Sequence, residues 1–159
     1  MMEQSGIRVT TKYYIASDHA GFKLKDFVIG LLKNKGHDVI DLGPSNADRV
    51  DYPDYAGEVC KAVIADDYKS FGVLICGSGI GMSMAANKYD GIRAALCHNE
   101  YSATMARNHN DANVICLGER VSGEGMIESI INHWCEAEFE GGRHSGRVEK
   151  INLLGSCRR

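Results

Sequence analysis

Residues 71–81, FGVLICGSGIG, join a nearly continuous apolar run to a glycine-rich segment. The run Phe71–Cys76 has the length and composition of a strand that is buried on both faces of a parallel sheet. Gly77, Gly79 and Gly81 follow it, and a helical stretch begins at Met82. Glycine allows a tight turn, and the N–H groups at a helix N-terminus attract negative charge. The segment therefore predicts a strand–loop–helix unit that can bind an anion, although it could also be a turn that only closes the unit.

Strands and helices alternate on both sides of this unit. Apolar runs predict further strands at 12–17, 37–42, 92–97 and 113–117. Apolar residues at helical spacing predict helices at 22–32, 55–68, 82–88, 100–108, 124–136 and about 143–154. This alternation predicts an α/β fold: a single-domain, Rossmann-like three-layer sandwich, with a five-stranded parallel sheet and helices on both faces. We expect the domain to span 12–154, residues 1–11 to be a disordered extension and 155–159 to be a tail.

Composition narrows the range of partners. The 159 residues carry a net charge of −3 and are 44% hydrophobic and 25% charged, as in ordinary soluble domains. This balance argues against nucleic acid or an anionic membrane as the main partner. No apolar run reaches the roughly 18 residues of a transmembrane helix. The six cysteines form no C-x-x-C pair, which favours reduced thiols and a cytoplasmic location.

The glycine loop does not fit three familiar anion-binding motifs. A P-loop ends in Gly-Lys-Ser/Thr, whereas Met82 and Ser83 follow the last glycine here. A low-molecular-weight phosphatase would need arginine where Met82 stands. The dinucleotide fingerprint G-x-G-x-x-G differs from the G-x-G-x-G of this chain. Cys76, directly before the loop, is then either a base whose thiolate the helix N-terminus favours or a buried structural thiol.

Six segments in order resemble the type B ribose-5-phosphate isomerases, whose relatives include allose- and galactose-6-phosphate isomerases. The segments cover nearly the whole chain. The resemblance implies a single domain with a five-stranded parallel sheet, a homodimer or a dimer of dimers, and neither metal nor cofactor. The segments are KYYIASDHAGF (12–22), VDYPDYA (50–56), GVLICGSGIGMSMAANK (72–88), GIRAALC (91–97), RNHNDANVICLGERV (107–121) and FEGGRHSGRVEKI (139–151).

The resemblance gives the glycine loop a catalytic meaning. In the branch of the family that this sequence resembles, the cysteine before the loop is the base, which implies that role for Cys76. Another branch has a glutamate after the last glycine, where this chain has Met82. Ser78 is then expected to move protons between two substrate oxygens, and the N–H groups of the three glycines to bind substrate.

Polar residues in two other segments complete the expected sugar site. His109 in NHND resembles the family's ring-opening histidine, and an imidazole can both donate and accept a proton near neutral pH. Taken alone, such a histidine is more often a solvated surface group. Asn110 is expected to orient the sugar. Asp18 is expected to hold a sugar hydroxyl or to assist ring opening, although it could also simply cap a helix. His19 is expected to lie near the phosphate or the ring.

Three arginines are candidates for the phosphate. Arg143 and Arg147 are four residues apart and would share one face of the last helix, which could also be an ordinary solvated basic face. With the resemblance, they and Arg120 become the expected phosphate site, and Tyr52 is expected to line the sugar. The family's pocket lies at a subunit interface, so His109 is expected to serve the Cys76 of a partner subunit.

The predicted reaction is therefore the interconversion of ribose 5-phosphate and ribulose 5-phosphate through an enediolate. Two other functions stay open. One is isomerisation of a six-carbon phosphate, such as allose or galactose 6-phosphate, because one more carbon changes pocket depth rather than catalytic groups. The other is a non-catalytic module that binds a nucleotide or phosphate.

Overall fold

The computed structural model of the chain describes residues 9–155. Most of the predicted N-terminal extension and of the predicted tail therefore lies outside the described residues. The strands of this part are β1 (Lys12–Ser17), β2 (Asp38–Asp41), β3 (Phe71–Cys76), β4 (Ala94–Leu96) and β5 (Val114–Gly118). Its α-helices are α1 (Phe22–Asn34), α2 (Tyr52–Ala65), α3 (Ile80–Ala86), α4 (Glu100–Asn108), α5 (Glu124–Glu136) and α6 (Ser145–Leu153).

The strands form one parallel sheet in the order β2-β1-β3-β5-β4. Alternate residues of β3 face opposite sides: Val73 and Ile75 pack with α1, α4 and α5, while Leu74 and Cys76 pack with α2 and α3. Both faces of the sheet are therefore covered, which explains the unbroken apolar run of β3. The predicted five-stranded parallel sheet with helices on both faces is confirmed.

Helix α2 begins and ends three residues earlier than the sequence pattern predicts. Pro53 lies in its first turn, where a proline fits because that turn needs no donor from its N–H group. The helix ends at Ala65 because Asp67 and Tyr68 adopt φ values of 55° and 57°, which a right-handed helix does not permit.

The C-terminal helix is also shorter than predicted. A 3₁₀ turn occupies Gly142–His144, and α6 begins only at Ser145. Gly141 and Gly142 have φ values of 65° and 54°, so the chain enters the helix from a left-handed turn. No helix in the described range is long and apolar enough to cross a membrane.

Candidate active site

Cys76 is the last residue of β3, and its side chain faces the loop that follows. Cys76 is 5% exposed, and its Sγ accepts a hydrogen bond of 3.1 Å from the N–H of Gly79. Gly79 is the N-cap of α3 and has a φ of 77°. A Cβ at this position would lie 2.6 Å from Cδ1 of Leu96, so only glycine fits. The sulfur thus lies at the N-terminus of α3, within hydrogen-bond distance of its N-cap residue.

The hydroxyl of Ser78 also faces the loop. Its Oγ accepts a hydrogen bond of 3.2 Å from the N–H of Ile80. Two N–H groups of the loop are therefore engaged by the side chains of Cys76 and Ser78. The sequence analysis expected the N–H groups of the glycine loop to bind substrate. In the structure, two N–H groups of the loop instead donate to the Cys76 sulfur and to the Ser78 hydroxyl.

Arg120 brings a positive charge to the same loop. Its N–H donates to the carbonyl of Gly77 at 2.9 Å, and the N–H of Glu119 donates to the carbonyl of Cys76 at 2.9 Å. A Cβ on Gly77 would lie only 3.3 Å from Nη1 of Arg120, so the guanidinium rests on the glycine. The residues after β5 thereby hold a cation beside the Cys76 loop.

Asp18 and His19 follow β1 at the same edge of the sheet. Asp18 is 7% exposed, its N–H donates to the carbonyl of Ile75 at 3.0 Å, and its Oδ1 accepts from the N–H of Gly21 at 3.0 Å. Asp18 thus stabilises the turn before α1. Nδ1 of His19 accepts from the N–H of Val50 at 3.4 Å, which ties this turn to the segment before α2.

Tyr52 covers the far end of the glycine loop. A Cβ on Gly81 would lie 2.6 Å from Cζ of the Tyr52 ring, so the ring packs directly on the glycine. Tyr52 remains 39% exposed. The structure therefore gathers one set of residues around Cys76, which we name the Cys76 cluster: Asp18, His19, Tyr52, Gly77, Ser78, Gly79, Gly81 and Arg120.

His109 belongs to a second cluster, the histidine group. Its ring stacks on that of His144, with centroids 4.2 Å apart and planes 13° apart. Oε2 of Glu140 lies 3.7 Å from Nε2 of both histidines. Nε of Arg143 lies 3.5 Å from Nε2 of His144. The sequence analysis missed His144 and Glu140, although both stand in the segment FEGGRHSGRVEKI.

The environment of His144 disfavours the charged form of its ring. Burial lowers the pKa of His144 below its ordinary value, and the charges of His109, Arg143 and Arg147 lower it further, against the opposing effect of Glu140. This electrostatic coupling also places Arg147 near the histidine group. Arg143 and Arg147 are both exposed, so their guanidiniums are accessible to an anion.

Asn110 follows His109 in a well-anchored loop. Its carbonyl accepts a hydrogen bond of 3.1 Å from Nε of Arg93, while the residue itself is exposed. The backbone of the loop is therefore fixed and the Asn110 side chain is accessible, as an orienting role toward the sugar would require.

One arrangement of these side chains resembles a metal site. Ligand atoms of His109, Glu140 and His144 lie within 4.8 Å of one another. A metal ion lies in the plane of an imidazole ligand, so two stacked parallel rings could not both bind it without reorientation. Arg143 also brings a positive charge within 3.5 Å of Nε2 of His144. The stacking of the rings and this charge both disfavour a divalent cation at the cluster.

The two groups lie at opposite edges of the sheet. Cys76 ends β3, at the carboxyl edge. Helix α4 leaves the carboxyl end of β4 and returns to the amino end of the parallel strand β5, so His109, directly after α4, lies at the amino edge. Among the described residues, no hydrogen bond, ion pair or ring contact joins the two groups. Two cavities of about 770 and 510 Å³ are lined by other residues and include neither Cys76 nor His109.

Comparison with known proteins identifies the family. The family model described as Ribose/Galactose Isomerase matches residues 13–151, which include every candidate site residue. The chain belongs to the ribose/galactose isomerase family. Ribose-5-phosphate isomerase B of Escherichia coli is 45% identical over 143 residues, which cover 90% of this chain and 95% of the relative.

Solved structures of this isomerase family share the fold. Ribose-5-phosphate isomerase B of Clostridium thermocellum has a TM-score of 0.86 and 48% identity, covering 89% of this chain and 95% of the other. The enzyme of Mycoplasma genitalium, solved with bound ribulose 5-phosphate, has a TM-score of 0.86 and 43% identity, covering 91% of this chain and 95% of the other. The family predicted from the six segments is therefore confirmed, while the roles of individual residues stay predictions.

Proposed function

We propose that this chain is an aldose–ketose isomerase that interconverts ribose 5-phosphate and ribulose 5-phosphate through an enediolate. Relatives about 45% identical over nearly their full length bear the name ribose-5-phosphate isomerase B, and one holds ribulose 5-phosphate. These names support the isomerase predicted from the sequence. The observation that carries the proposal is the position of the Cys76 sulfur, which accepts a hydrogen bond of 3.1 Å from the Gly79 N–H. The Arg120 guanidinium packs against Gly77 of the same loop.

Cys76 is the proposed base for the carbon-bound proton. Its thiolate takes the proton from C2 of the open-chain aldose, and the C–H electron pair moves to form the enediolate. The proton then returns from the thiol to C1, which gives the ketose. Ser78 moves a proton between the oxygens on C1 and C2. The reaction exchanges protons alone, so neither an oxidant nor a metal enters its balance.

The enediolate carries negative charge that the site must stabilise. The Cys76 cluster supplies the N–H groups of the glycine loop beside the sulfur, together with the Ser78 hydroxyl. Such preorganised donors stabilise an oxyanion strongly because they do not have to reorient as charge develops. We assign sugar hydroxyls to Asp18 and the wall of the sugar site to Tyr52.

His109 is the proposed ring-opening residue, and we infer that it acts on a substrate bound at the Cys76 cluster of a second subunit. Within one chain His109 and Cys76 lie at opposite edges of the sheet, so one chain cannot apply both to one substrate. A symmetric homodimer would bring the Cys76 cluster of each subunit to the histidine group of the other, since a two-fold axis makes such contacts reciprocal. Asn110 would then orient the sugar from the same side as His109.

Arg143 and Arg147 are the proposed phosphate-binding residues, with Arg120 and His19 meeting them from the opposite subunit. Guanidinium groups suit phosphate because they donate paired hydrogen bonds in a fixed plane. We also propose a cytoplasmic location, supported by Cys60, Cys76, Cys97, Cys116 and Cys135, which are all free.

A coupled ribose 5-phosphate assay with EDTA present tests this function. We expect saturable turnover that EDTA does not reduce, and a higher kcat/KM for ribose 5-phosphate than for allose or galactose 6-phosphate. A reversed preference would move the assignment to a six-carbon substrate. Nucleotide-induced thermal stabilisation without any isomerisation would instead identify a binding module.

A further inference from the structure

Arg93 is the basic residue of the segment GIRAALC, and the proposed mechanism gives it no role. It lies directly before β4, and its side chain is 14% exposed. A guanidinium has five N–H donors in one plane, and a largely buried one needs partners for them. Arg93 finds those partners in three different segments of the chain.

The first segment is the loop that follows His109. Nε of Arg93 donates to the carbonyl of Asn110 at 3.1 Å, and Nη2 donates to the carbonyl of Asp111 at 2.8 Å. Asp111 has a φ of 46°, unfavourable for a residue with a side chain, and its Oδ1 also accepts from Nη1 of Arg107 at 3.0 Å. Two arginines therefore hold this unusual turn in place.

The second segment is α6. Nη1 of Arg93 donates to Oδ1 of Asn152 at 2.8 Å, and Asn152 lies on the helix that carries Arg147. The third is the turn before β4, where Nη1 of Arg93 lies 3.4 Å from the carbonyl of Gly91. A single planar group thus connects the loop of the proposed ring-opening histidine with the helix that carries Arg147, one of the proposed phosphate-binding arginines.

We propose that Arg93 is a positioning residue that fixes the His109 loop and α6 relative to each other, so that imidazole and phosphate-binding guanidiniums meet the substrate in one geometry. The inference rests on the proposed function and extends it to a residue that does not touch the substrate. Lysine cannot replace Arg93 here, because a single ammonium group cannot donate in a plane to both segments at once.

Two variants distinguish the connection of Arg93 to the His109 loop from its connection to α6. Arg93→Lys weakens both, and we expect a KM for ribose 5-phosphate raised roughly tenfold and a kcat lowered roughly tenfold, as small misplacements of reacting groups cause. Asn152→Ala removes only the bond to α6, so KM should rise several-fold while kcat stays near the wild-type value.

A partial reaction distinguishes positioning from general damage. Ribulose 5-phosphate has no free C5 hydroxyl with which to close a five-membered ring, so deuterium exchange at its C1 in D₂O needs Cys76 but no ring opening. At saturating ribulose 5-phosphate, this exchange should proceed at the wild-type rate in both variants. An Ile130→Val variant, altered in the core beneath α5, controls for lost stability and should keep both KM and kcat.

Several results would overturn the inference. Wild-type KM and kcat in both variants would remove the positioning role, and so would a C1 exchange that falls as much as turnover. If Arg93→Lys does not fold, the KM of Asn152→Ala decides alone. A wild-type protein that folds but does not isomerise ribose 5-phosphate would instead refute the proposed function and this inference with it.

Discussion

The N–H of Gly79 donates to the sulfur of Cys76 across 3.1 Å, which makes the proposed base and the glycine loop one structural unit. The contact depends on the φ of 77° at Gly79 and on the absence of a Cβ there. The sulfur is held by backbone rather than by a mobile side chain, so its position is fixed before substrate arrives. Such preorganisation is what a proton transfer from carbon requires.

Cys76→Ala should therefore abolish enediolate formation. We expect kcat for ribose 5-phosphate to fall about 10²–10⁴-fold, the usual effect of removing a general base, and C1 deuterium exchange of ribulose 5-phosphate to fall equally. Cys135→Ala is the matched control, since Cys135 lies on α5, where its Sγ contacts the Tyr13 hydroxyl at 3.5 Å. Turnover close to wild type in Cys76→Ala would remove the thiol from the mechanism.

The described cysteines should differ in reactivity toward iodoacetamide at pH 8. Burial raises the pKa of Cys60 to about 12 and that of Cys97 to about 11, and it raises the pKa of Cys116 well above its ordinary value. These side chains stay protonated and react slowly, because the thiolate is the nucleophile. We expect Cys76 to be labelled first among the five, together with loss of activity, and ribose 5-phosphate to protect it.

Peptide mass spectrometry measures the order of labelling. Cys157, which lies outside the described residues, is quantified on a separate peptide. Labelling of Cys135 before Cys76, or inactivation that substrate does not slow, would contradict the assignment of Cys76 to the substrate site.

The sequence indicated that most members of the Cys76 cluster lie close together, because most of them directly follow strand ends, whereas their roles stay predictions. Polar residues directly after parallel strands meet at one edge of the sheet, and the glycine pattern around Cys76 indicated both the turn and the helix start. The contacts of Tyr52 with Gly81 and of Arg120 with Gly77 then follow from chain segments that converge on this edge.

The histidine group was predicted only in part. His109, Arg143 and Arg147 were found through the resemblance, whereas His144, Glu140 and Arg93 were not. Their roles depend on how segments distant in sequence pack: Arg93 and Asn152 are far apart in the chain, and no periodicity relates them. These three residues do stand in two of the quoted segments, GIRAALC and FEGGRHSGRVEKI, but the resemblance gave them no chemical role.

Arg143→Ala and Arg147→Ala should act mainly on phosphate binding. Each removes a charge-assisted contact, and we expect KM for ribose 5-phosphate to rise roughly 10–100-fold with a smaller change in kcat. Slow turnover of unphosphorylated ribose should not change, because it makes no phosphate contact. Lys150→Ala, a neighbouring exposed cation on α6, is the control. Equal losses with ribose and ribose 5-phosphate would show that the arginines do not bind the phosphate.

His144 should make the protein less stable as the pH falls. Its pKa is lowered in the folded state, first by burial, so below the ordinary histidine pKa of about 6.5 the unfolded state binds more protons. Stability from this source is complete above about pH 6.5 and is lost as the pH falls toward the folded pKa. The pKa of His37 is lowered as well, also first by burial, and contributes in the same direction.

His144→Gln isolates the contribution of His144. Between pH 7.5 and 5 we expect a smaller fall in Tm for this variant than for the wild-type protein, and His133→Gln, on the exposed face of α5, should behave like wild type. The same pH dependence in His144→Gln and wild type would show that the stacked ring is not the group that titrates.

Mixed subunits test whether the two groups serve one substrate from different chains. His109→Asn should lower turnover of cyclic ribose 5-phosphate while leaving C1 exchange of ribulose 5-phosphate near normal, whereas Cys76→Ala should lower both. A heterodimer of these variants contains one site with both residues intact and one with neither, because a two-fold axis makes the exchange reciprocal.

The heterodimer can be isolated with two different affinity tags on the variant chains and assayed against each parent homodimer. We expect about half of the wild-type turnover, since one of its two sites is complete, although both parents are nearly inactive. If His109 and Cys76 instead acted on substrate from the same chain, neither site of the heterodimer would be intact. Its turnover would then stay at the mean of the two inactive parents, and the inference that the site is shared between subunits would be wrong.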